Sequence, residues 1–454
     1  MRLKIIPLLI LGIILLGLDL KQTLATANSE QLSNQQQEKL SKDVLRFNQE
    51  LHIIKNEYVQ PTSEHKLLKN AMQGMASGLD PHSSFLDADD LKELETATTG
   101  KFGGLGLEVA MEEGLLRVVT PIDDSPAQQA GIKMGDWIIR INNNSIQSLT
   151  LREAVQKMRG KPETSIQLLM LRKGISKPFT VQLKRKLINL HSVKGRLLAP
   201  GFAYIRISSF QENTLEELKQ LVLQLKRESK AVPLKGLVLD LRNNPGGLLT
   251  TASDVANAFL DPQKMFFNQV IVYTKGQNPQ ASMRILAKPN YQIYDGALVL
   301  LINQGSASGA EIVAGALQDN KRAILLGTKT FGKGSVQTVI PLDNSSALKL
   351  TTALYYTPAG HSIQASGILP DVTLEELKVN TLDQNPIDSV YLHESELRGH
   401  LKNGNTETPK TIFELPATIE SNDLLKHDYQ LFEAFNLLKA LIAVQEPTTS
   451  KASP

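Results

Sequence analysis

Three short apolar runs, each of buried-strand length, constrain the fold of this chain more than any other feature. They occupy 236–241 (GLVLDL), 297–302 (ALVLLI) and 323–326 (AILL). Apolar runs of about four to eight residues are typical of strands covered on both faces, as in parallel sheets. The helix-like stretch 309–318 separates the last two runs, which is the alternation expected between parallel strands. The pattern predicts an α/β core, which we place at residues 186–375.

Composition excludes several other classes of protein. An apolar fraction of 41% and a charged fraction of 21% exclude a wholly disordered chain, a coiled-coil rod and a multi-span membrane protein. The 49 basic and 46 acidic residues leave a net charge of +3, too small to predict nucleic-acid binding. Because the chain has no cysteine, disulfides, thiolate zinc sites and cysteine nucleophiles are excluded. No H-E-x-x-H or comparable ligand cluster occurs, so we expect no metal and no other cofactor.

The N-terminus has the pattern of a secretory signal peptide. Arg2 and Lys4 precede an apolar run over 5–18, and 25–27 (ATA) offers small residues at cleavage-site spacing. This run is shorter than the roughly 20 residues that a transmembrane helix needs. We therefore expect residues 1–27 to be removed and the protein to be periplasmic, with an uncleaved membrane anchor as the alternative.

Helical regions are predicted at both ends of the mature chain. Residues 28–99 contain apolar residues at helical spacing, which predict either core or an oligomer interface. Residues 376–454 are predicted to be helical and polar, with a clear helix near 429–444 and a disordered tail at 447–454. The apolar residues of the first region are Leu40, Val44, Leu45, Phe47, Leu51 and Ile54.

Residues 100–185 resemble a PDZ domain. A glycine-rich loop precedes strand-like runs, the motifs at 125–132 (SPAQQAGI) and 135–139 (GDWII), and one helix, which Thr150 and Glu153 cap reciprocally. In a PDZ domain such a loop offers backbone N–H groups to a peptide's terminal carboxylate, and the adjoining strand edge takes the peptide as an additional strand. The alternative is that the glycines merely permit a tight turn. The loop residues are Gly104, Leu105, Gly106 and Leu107.

Three polar segments follow the predicted buried strands directly. They are 240–247 (DLRNNPGG), 303–311 (NQGSASGAE) and 327–337 (GTKTFGKGSVQ). Open α/β sheets build their sites at the carboxyl ends of the strands. These segments are therefore the candidates for chemistry.

The second segment places a serine at the start of a helix. With Glu311 three residues on, Ser308 is typical of a capping box, and spacing alone favours that interpretation. A nucleophile is the other interpretation, because the Gly309 N–H and the helix N-terminus would stabilise developing negative charge. An N–H from Gly246 or Gly247 would complete such an oxyanion hole.

The third segment offers a general base. It differs from a phosphate-binding loop at Gly334, where Ser or Thr is required, so no nucleotide is expected. Lys333 would serve as base if apolar surroundings lower its pKa by penalising the ammonium form. Gln337 would then lie on the same face of an extended chain and fix the amine. The alternatives are an exposed loop lysine and a glutamine bonded to backbone.

Together with 79–84 (LDPHSS), 356–360 (YTPAG) and 367–371 (GILPD), these segments resemble the carboxyl-terminal processing proteases of family S41 over residues 40–375. This family consists of exported Ser-Lys peptidases with a PDZ domain ahead of the catalytic core. The resemblance implies a multi-domain α/β fold: a mixed, crotonase/ClpP-like core, an inserted β-rich PDZ domain and helical terminal regions. It makes Ser308 the nucleophile, Lys333 the base and Gln337 the support of the lysine. Gly309 departs from the family, which often has Ala or Ser there, but only its backbone amide is needed.

The resemblance also implies partners. Substrates would be proteins or peptides with apolar C-termini held by the PDZ loop, and an adaptor protein is a further partner that the resemblance leaves open. Homo-oligomers would form through 40–75 and 425–445. Arg159 would couple the PDZ domain to the active site, unless it is only a solvated arginine at a helix end.

Three rival functions remain distinguishable by sequence. An inactive PDZ scaffold would have lost the serine or the lysine, and both are present. A trypsin-like protease would carry its PDZ domain after the nucleophile, not before it, and a metal hydrolase would need a ligand cluster. None of the eight histidines shows the surroundings of a catalytic base in the sequence, although His361 lies near enough to test.

Overall fold

A computed structural model describes residues 36–112, 114–147, 149–229, 232–375, 393–402, 413–414 and 428–445. The predicted signal peptide and the predicted disordered tail lie outside the described residues. The chain divides into two compact units, 1–75 and 76–454. Within the described part of the chain, no helix combines the length and apolar character needed to cross a membrane.

The first unit is helical where it is described. Helix α1 covers 36–57 and is followed by α2, Glu64–Ser77. The apolar stripe predicted for this region lies on α1, and its first four residues are exposed, with Leu40 63% and Leu45 62% accessible, while Leu51 and Ile54 are half-buried. An apolar helix face of this kind is typical of an interaction surface.

The second unit begins with β1 (Ser84–Leu86) and α3 (Ala88–Thr99), and a six-stranded antiparallel sheet follows. Strand β3 forms one edge of this sheet, since β4 is its single pairing partner among the residues that the structure describes. The helix cap predicted at Thr150 is confirmed, since both halves of the capping box are present. The elements of this region are β3 (Leu107–Glu112), β4 (Leu115–Pro121), α4 (Pro126–Gln129), β5 (Trp137–Ile141), β6 (Asn144–Ser145), α5 (Leu151–Met158), β7 (Ser165–Leu171) and β8 (Phe179–Lys184).

A two-stranded ribbon connects this sheet with the rest of the second unit. Strands β2 (Lys101–Gly104) and β9 (Lys186–Asn189) lie immediately before and after the inserted sheet and pair antiparallel. The insertion is therefore attached through two chain segments that lie side by side.

A seven-stranded sheet forms the core, in the order β10-β11-β12-β15-β16-β19-β20. Within this sheet, neighbouring strands from β11 onward run parallel to one another, and the apolar runs predicted this for β12, β15 and β16. The core strands and helices are β10 (Val193–Ala199), β11 (Phe202–Ile207), α6 (Thr214–Glu228), β12 (Gly236–Asp240), α7 (Leu249–Asn257), β15 (Ala297–Ile302), α8 (Gly309–Asp319), β16 (Ile324–Gly327), β19 (Val372–Thr373), β20 (Phe413–Glu414) and α9 (Tyr429–Gln445).

Helices cover both faces of this sheet because successive strand residues point to opposite sides. Leu237 and Leu239 pack in the cluster that contains residues of α6, α7 and α8. Val238, between them, packs with Leu431 and Leu438 of α9. The apolar face of α9, predicted as a candidate oligomer interface, is thus occupied by the sheet of its own chain.

A second sheet closes the core beside α8. It has the order β1-β18-β13-β14, and β17 also pairs with β18. The pairing of β1 with β18 brings the turn at 79–84 next to the loop that precedes β17. Its remaining strands are β13 (Val270–Gly276), β14 (Arg284–Leu286), β17 (Ser335–Pro341) and β18 (Ala347–Tyr356); two 3-10 turns cover Pro279–Ala281 and Glu394–Glu396.

Helix α6 lacks a local side-chain cap. Thr214 and Glu217 stand at capping-box spacing, but the helix begins at Thr214, Asn213 holds the N-cap position and its side chain forms no capping hydrogen bond. The Glu217 carboxylate instead accepts the N–H groups of Ser192 and Val193 at 3.0 and 3.2 Å. A tertiary contact with the start of β10 therefore takes the place of a local helix cap.

Candidate active site

Ser308 immediately precedes α8, and its backbone is strained. Its φ of 54° and ψ of −113° place a residue with a β-carbon in the left-handed half of conformational space. Surrounding contacts must hold such a conformation, and residues of this kind cluster at functional sites. The Ser308 N–H donates to Glu311 at 2.8 Å, which is one half of the predicted capping box. The strain favours the interpretation of Ser308 as more than a helix cap.

The Glu311 carboxylate joins the two predicted catalytic residues. Its Oε2 accepts the N–H of Ser308 at 2.8 Å and the N–H of Lys333 at 2.9 Å. Its Oε1 accepts the Gly332 N–H at 2.8 Å and the Thr330 hydroxyl at 2.5 Å. Burial raises the pKa of Glu311 to about 7, although these four hydrogen bonds act in the opposite direction. One buried carboxyl group therefore fixes both segments.

A buried tyrosine makes a second connection between the same residues. The Tyr355 hydroxyl donates to the backbone carbonyl of Lys333. Burial raises the pKa of Tyr355 well above its usual value, and a hydrogen bond with the Ser308 side chain opposes this rise. The phenol, which is 2% exposed, thus lies between the serine hydroxyl and the lysine backbone.

The Lys333 amine has the surroundings that a neutral amine requires. Burial lowers the pKa of Lys333, and the charge of Lys349 lowers it further. The charges of Glu394, Glu311 and Asp80 act in the opposite direction without cancelling the effect of burial. Across the described residues, the amine forms no hydrogen bond or ion pair that would hold it as an ammonium. A lowered pKa is what a general base needs.

The loop that carries Gly246 and Gly247, here called the glycine loop, packs directly against Ser308. A β-carbon on Gly246 would lie 2.7 Å from the Ser308 β-carbon and 2.8 Å from the Gly309 nitrogen, so only glycine fits. The Gly246 N–H is already donated to Asn244 Oδ1 at 2.8 Å. By contrast, the N–H groups of Gly247 and Gly309 donate to no group among the residues described. Of the two predicted glycines, Gly247 is the one with a free donor.

Arg242 anchors the glycine loop to α9. Its guanidinium bonds to both oxygens of Asp240, at 3.0 and 2.8 Å, and to both oxygens of Asp428, at 2.8 and 2.6 Å. Gln430 Oε1 accepts a further bond at 3.0 Å. The residue before α9 thereby holds the loop that carries Gly246 and Gly247.

Gln337 lies near the lysine but bonds elsewhere. Its amide donates to Ser335 at 2.9 Å and to Thr351 at 3.2 Å. No hydrogen bond joins it to Lys333 among the described residues, and a register shift in the pairing with β18 lies between Val336 and Gln337. This bulge interrupts the simple alternation from which a shared face was predicted. The role of Gln337 stays a prediction.

The predicted peptide-binding loop lies beside the exposed edge of β3. The carbonyl groups of Leu105 and Gly106 accept the N–H groups of Ala127 and Ile122, at 3.0 and 2.9 Å. These bonds fix the loop, while the N–H groups of Leu105 and Gly106 have no acceptor in the described part of the chain. A β-carbon on Gly106, whose φ is +74°, would lie 2.2 Å from the Ser125 β-carbon. Gly104 and Leu107 flank this pair of free donors.

Arg159 is placed near the ribbon that carries the inserted sheet. Its guanidinium carbon lies 5.0 Å from the centroid of the Phe102 ring on β2. The next residue, Gly160, donates its N–H to Gly103 at 3.1 Å. Within the described residues, no hydrogen bond or ion pair joins Arg159 to Ser308 or Lys333, and its coupling role stays a prediction.

Sequence reasoning missed Tyr355 and three further contributors to the site. His82 Nε2 lies 2.9 Å from an oxygen of Glu394. Asp80 accepts the Thr351 hydroxyl at 3.0 Å and so connects with the Gln337 amide. Asp80 and His82 stood in a motif that was noted, but nothing in the sequence pointed to Glu394.

Comparison with known proteins agrees with this architecture. The family model described as peptidase family S41 matches residues 201–374, the PDZ domain model matches 103–183, and the activating protease CtpB N-terminal domain model matches 12–90. The fold class predicted from sequence, an α/β protease core with an inserted PDZ domain, is confirmed.

Curated relatives match over most of the chain. A carboxy-terminal-processing protease from Bartonella bacilliformis is 42% identical over 91% of this chain and 92% of its own length. The carboxy-terminal processing protease CtpB from Bacillus subtilis is 32% identical over 80% of this chain and 74% of its own. Among solved structures, the photosystem II D1 C-terminal processing protease is 29% identical, covers 73% of this chain and 92% of its own, and has a TM-score of 0.42. The chain belongs to peptidase family S41, as a PDZ-containing carboxy-terminal processing protease.

Proposed function

We propose that the protein is an exported serine endopeptidase that cleaves peptide bonds with a Ser308–Lys333 dyad. The observation that carries this proposal is the arrangement of the two residues around shared groups. Glu311 Oε2 accepts the backbone N–H of both, and the Tyr355 hydroxyl contacts both. The strained backbone of Ser308 and the lowered pKa of Lys333 support the two roles independently.

In the proposed reaction, the neutral Lys333 amine takes the proton of the Ser308 hydroxyl. The serine oxygen attacks the carbonyl carbon of the scissile bond, and the resulting oxyanion accepts hydrogen bonds from the Gly247 and Gly309 N–H groups. The Lys333 ammonium then gives its proton to the leaving amine, and the C–N bond breaks. A water molecule hydrolyses the acyl-enzyme with the same amine as base, which restores the serine.

We assign substrate recognition to the PDZ domain. The free N–H groups of Leu105 and Gly106 are suited to a terminal carboxylate, and the edge of β3 is suited to an added strand. Substrates would thus be proteins with apolar C-termini in the cell envelope. Arg159, close to the ribbon between the two domains, is the proposed coupling residue.

We propose that Gln337 helps to orient the Lys333 amine. Its amide bonds to Thr351, which donates to Asp80, and Asp80 is one of the charges that face Lys333. The network links Gln337 to the surroundings of the amine through two intermediate groups.

Export, a periplasmic location and a homo-oligomer complete the proposal. The N-terminal sequence pattern supports export. The exposed apolar side chains of α1 support association of copies through 40–75.

The dyad is tested with a fluorophosphonate probe, which reacts covalently with an activated serine and requires no knowledge of the substrate. Wild-type protein is expected to be labelled, and Ser308→Ala and Lys333→Ala are expected to lose labelling. Lys329→Ala, in the same loop, serves as the matched control and should react like wild type. Undiminished labelling of Lys333→Ala would refute the dyad, and an unlabelled wild-type protein with intact peptide binding would indicate an inactive scaffold.

A further inference from the structure

A carboxylate from the C-terminal region is buried beside the base. Glu394 lies in the 3-10 turn Glu394–Glu396, and its side chain is 0% exposed. Its oxygens lie 3.0 and 2.9 Å from His82 Nε2, and Oε1 also accepts the Gln364 amide at 2.8 Å. Burial of an ionised carboxylate is unfavourable unless hydrogen-bond partners replace the lost water, and His82 and Gln364 are such partners.

The same residue holds the loop that carries Lys333 from both sides. Before the lysine, the Glu394 N–H donates to the Phe331 carbonyl at 3.1 Å. After the lysine, the Gly334 N–H donates to Gln364 Oε1 at 2.9 Å, and Gln364 is the residue that donates to Glu394. The base therefore lies between two backbone groups that connect to one residue, the first through the Glu394 N–H and the second through its carboxylate by way of Gln364.

The charge of Glu394 also acts on the base. Burial raises the pKa of Glu394, but hydrogen bonds from His82 and Gln364 and the charges of His82 and Lys333 outweigh burial and lower it. The carboxylate is thus ionised at neutral pH. The other charged groups facing the Lys333 amine are Lys349 on β18, Glu311 on α8 and Asp80 in the turn before β1.

We propose that Glu394 is a positioning residue for the general base, an inference that rests on the proposed role of Lys333. It fastens the loop around the amine and supplies a negative charge that sets the pH range in which the amine is neutral. The C-terminal region thereby contributes Glu394 to the surroundings of the base, and His82 is the group that keeps its carboxylate in place.

The experiment measures the rate of fluorophosphonate labelling of the full chain as a function of pH. Glu394→Gln keeps the volume of the side chain and one oxygen to accept the Gln364 bond, but removes the charge. Because the ammonium form of Lys333 loses a favourable partner, the acid limb of the profile should move to lower pH by about one unit. Glu394→Asp, which keeps the charge, should leave the acid limb in place.

The matched control is Glu396→Gln, which changes an exposed glutamate in the same turn and should leave the profile unchanged. Lys349→Met removes a positive charge that faces the amine and should move the acid limb to higher pH. Thermal unfolding confirms that each variant is folded. A Glu394→Gln profile that coincides with wild type along the acid limb, with or without a lower plateau, would overturn the inference. Labelling that survives Lys333→Ala would instead overturn the proposed dyad.

Discussion

Glu311 Oε2 accepts the backbone N–H of Lys333 at 2.9 Å. The same oxygen accepts the Ser308 N–H, and Oε1 accepts two further donors. All four partners donate, so the site requires an acceptor at both oxygens. The carboxyl group that the sequence predicts as part of a helix cap therefore links the segments that carry the proposed nucleophile and the proposed base.

We therefore expect Glu311→Gln to reduce activity strongly. The amide NH₂ must face either Ser308 and Lys333 or Thr330 and Gly332, and each unpaired buried donor costs about 1–3 kcal/mol. We predict a fall in kcat of about tenfold or more, measured by hydrolysis of labelled casein. Glu216→Gln, an exposed glutamate on α6, is the control, and a Glu311→Gln enzyme with wild-type kcat would contradict the prediction.

Lys333→Met should abolish activity and raise stability at neutral pH. The folded protein lowers the pKa of Lys333 from 10.5, so between the two pKa values the unfolded chain binds more protons and the stability of wild type rises with pH. Below the folded pKa, the full penalty of burying the ammonium is present. Methionine has no such penalty. Thermal unfolding should show a higher Tm for the variant at pH 7, with a difference that shrinks as pH approaches 10.5; a lower Tm at pH 7 would argue against a buried, destabilising amine.

Asp428→Asn should loosen the loop that carries Gly246 and Gly247, although Asp428 lies outside that loop. The substitution removes a charged acceptor of two Arg242 bonds, and charge-assisted bonds contribute about 1.5–3 kcal/mol each. We expect a lower Tm and a lower kcat with little change in KM, because the loop acts on the transition state. Glu433→Gln, the acidic residue within α9, is the control. Unchanged kcat would show that the loop holds its shape without α9.

Gly106→Ala should weaken peptide binding by the PDZ domain. The added β-carbon would lie 2.2 Å from the Ser125 β-carbon, and the φ of +74° is unfavourable for alanine. The loop must therefore move, and its N–H groups no longer point toward the peptide carboxylate. Fluorescence anisotropy in a Ser308→Ala background, with a peptide that ends in apolar residues, should show at least about tenfold weaker binding. Gly114→Ala, at φ +73° with nothing within 4 Å, is the matched control. Equal binding of the amidated peptide would contradict carboxylate recognition.

Local patterns were sufficient to predict much of the fold. The runs around Leu239, Leu300 and Leu325 became parallel strands because continuous apolarity permits no exposed face. The cap at Thr150 formed as expected because both partners lie within one helical turn. Thr214 and Glu217 have the same spacing but form no such cap, because the Glu217 carboxylate accepts the N–H groups of Ser192 and Val193.

By itself, the sequence determined which residues are candidates for chemistry: Ser308, Lys333 and the glycines of 240–247 stand in short motifs that follow strands. Only the tertiary structure decided how they are held. Tyr355, His82 and Glu394 reach the site from β18, the turn before β1 and the segment 393–402, which are far apart in the chain. The physical reason is that a buried charge must be matched by whichever polar groups the packed chain brings within hydrogen-bond distance, and no local pattern records that choice.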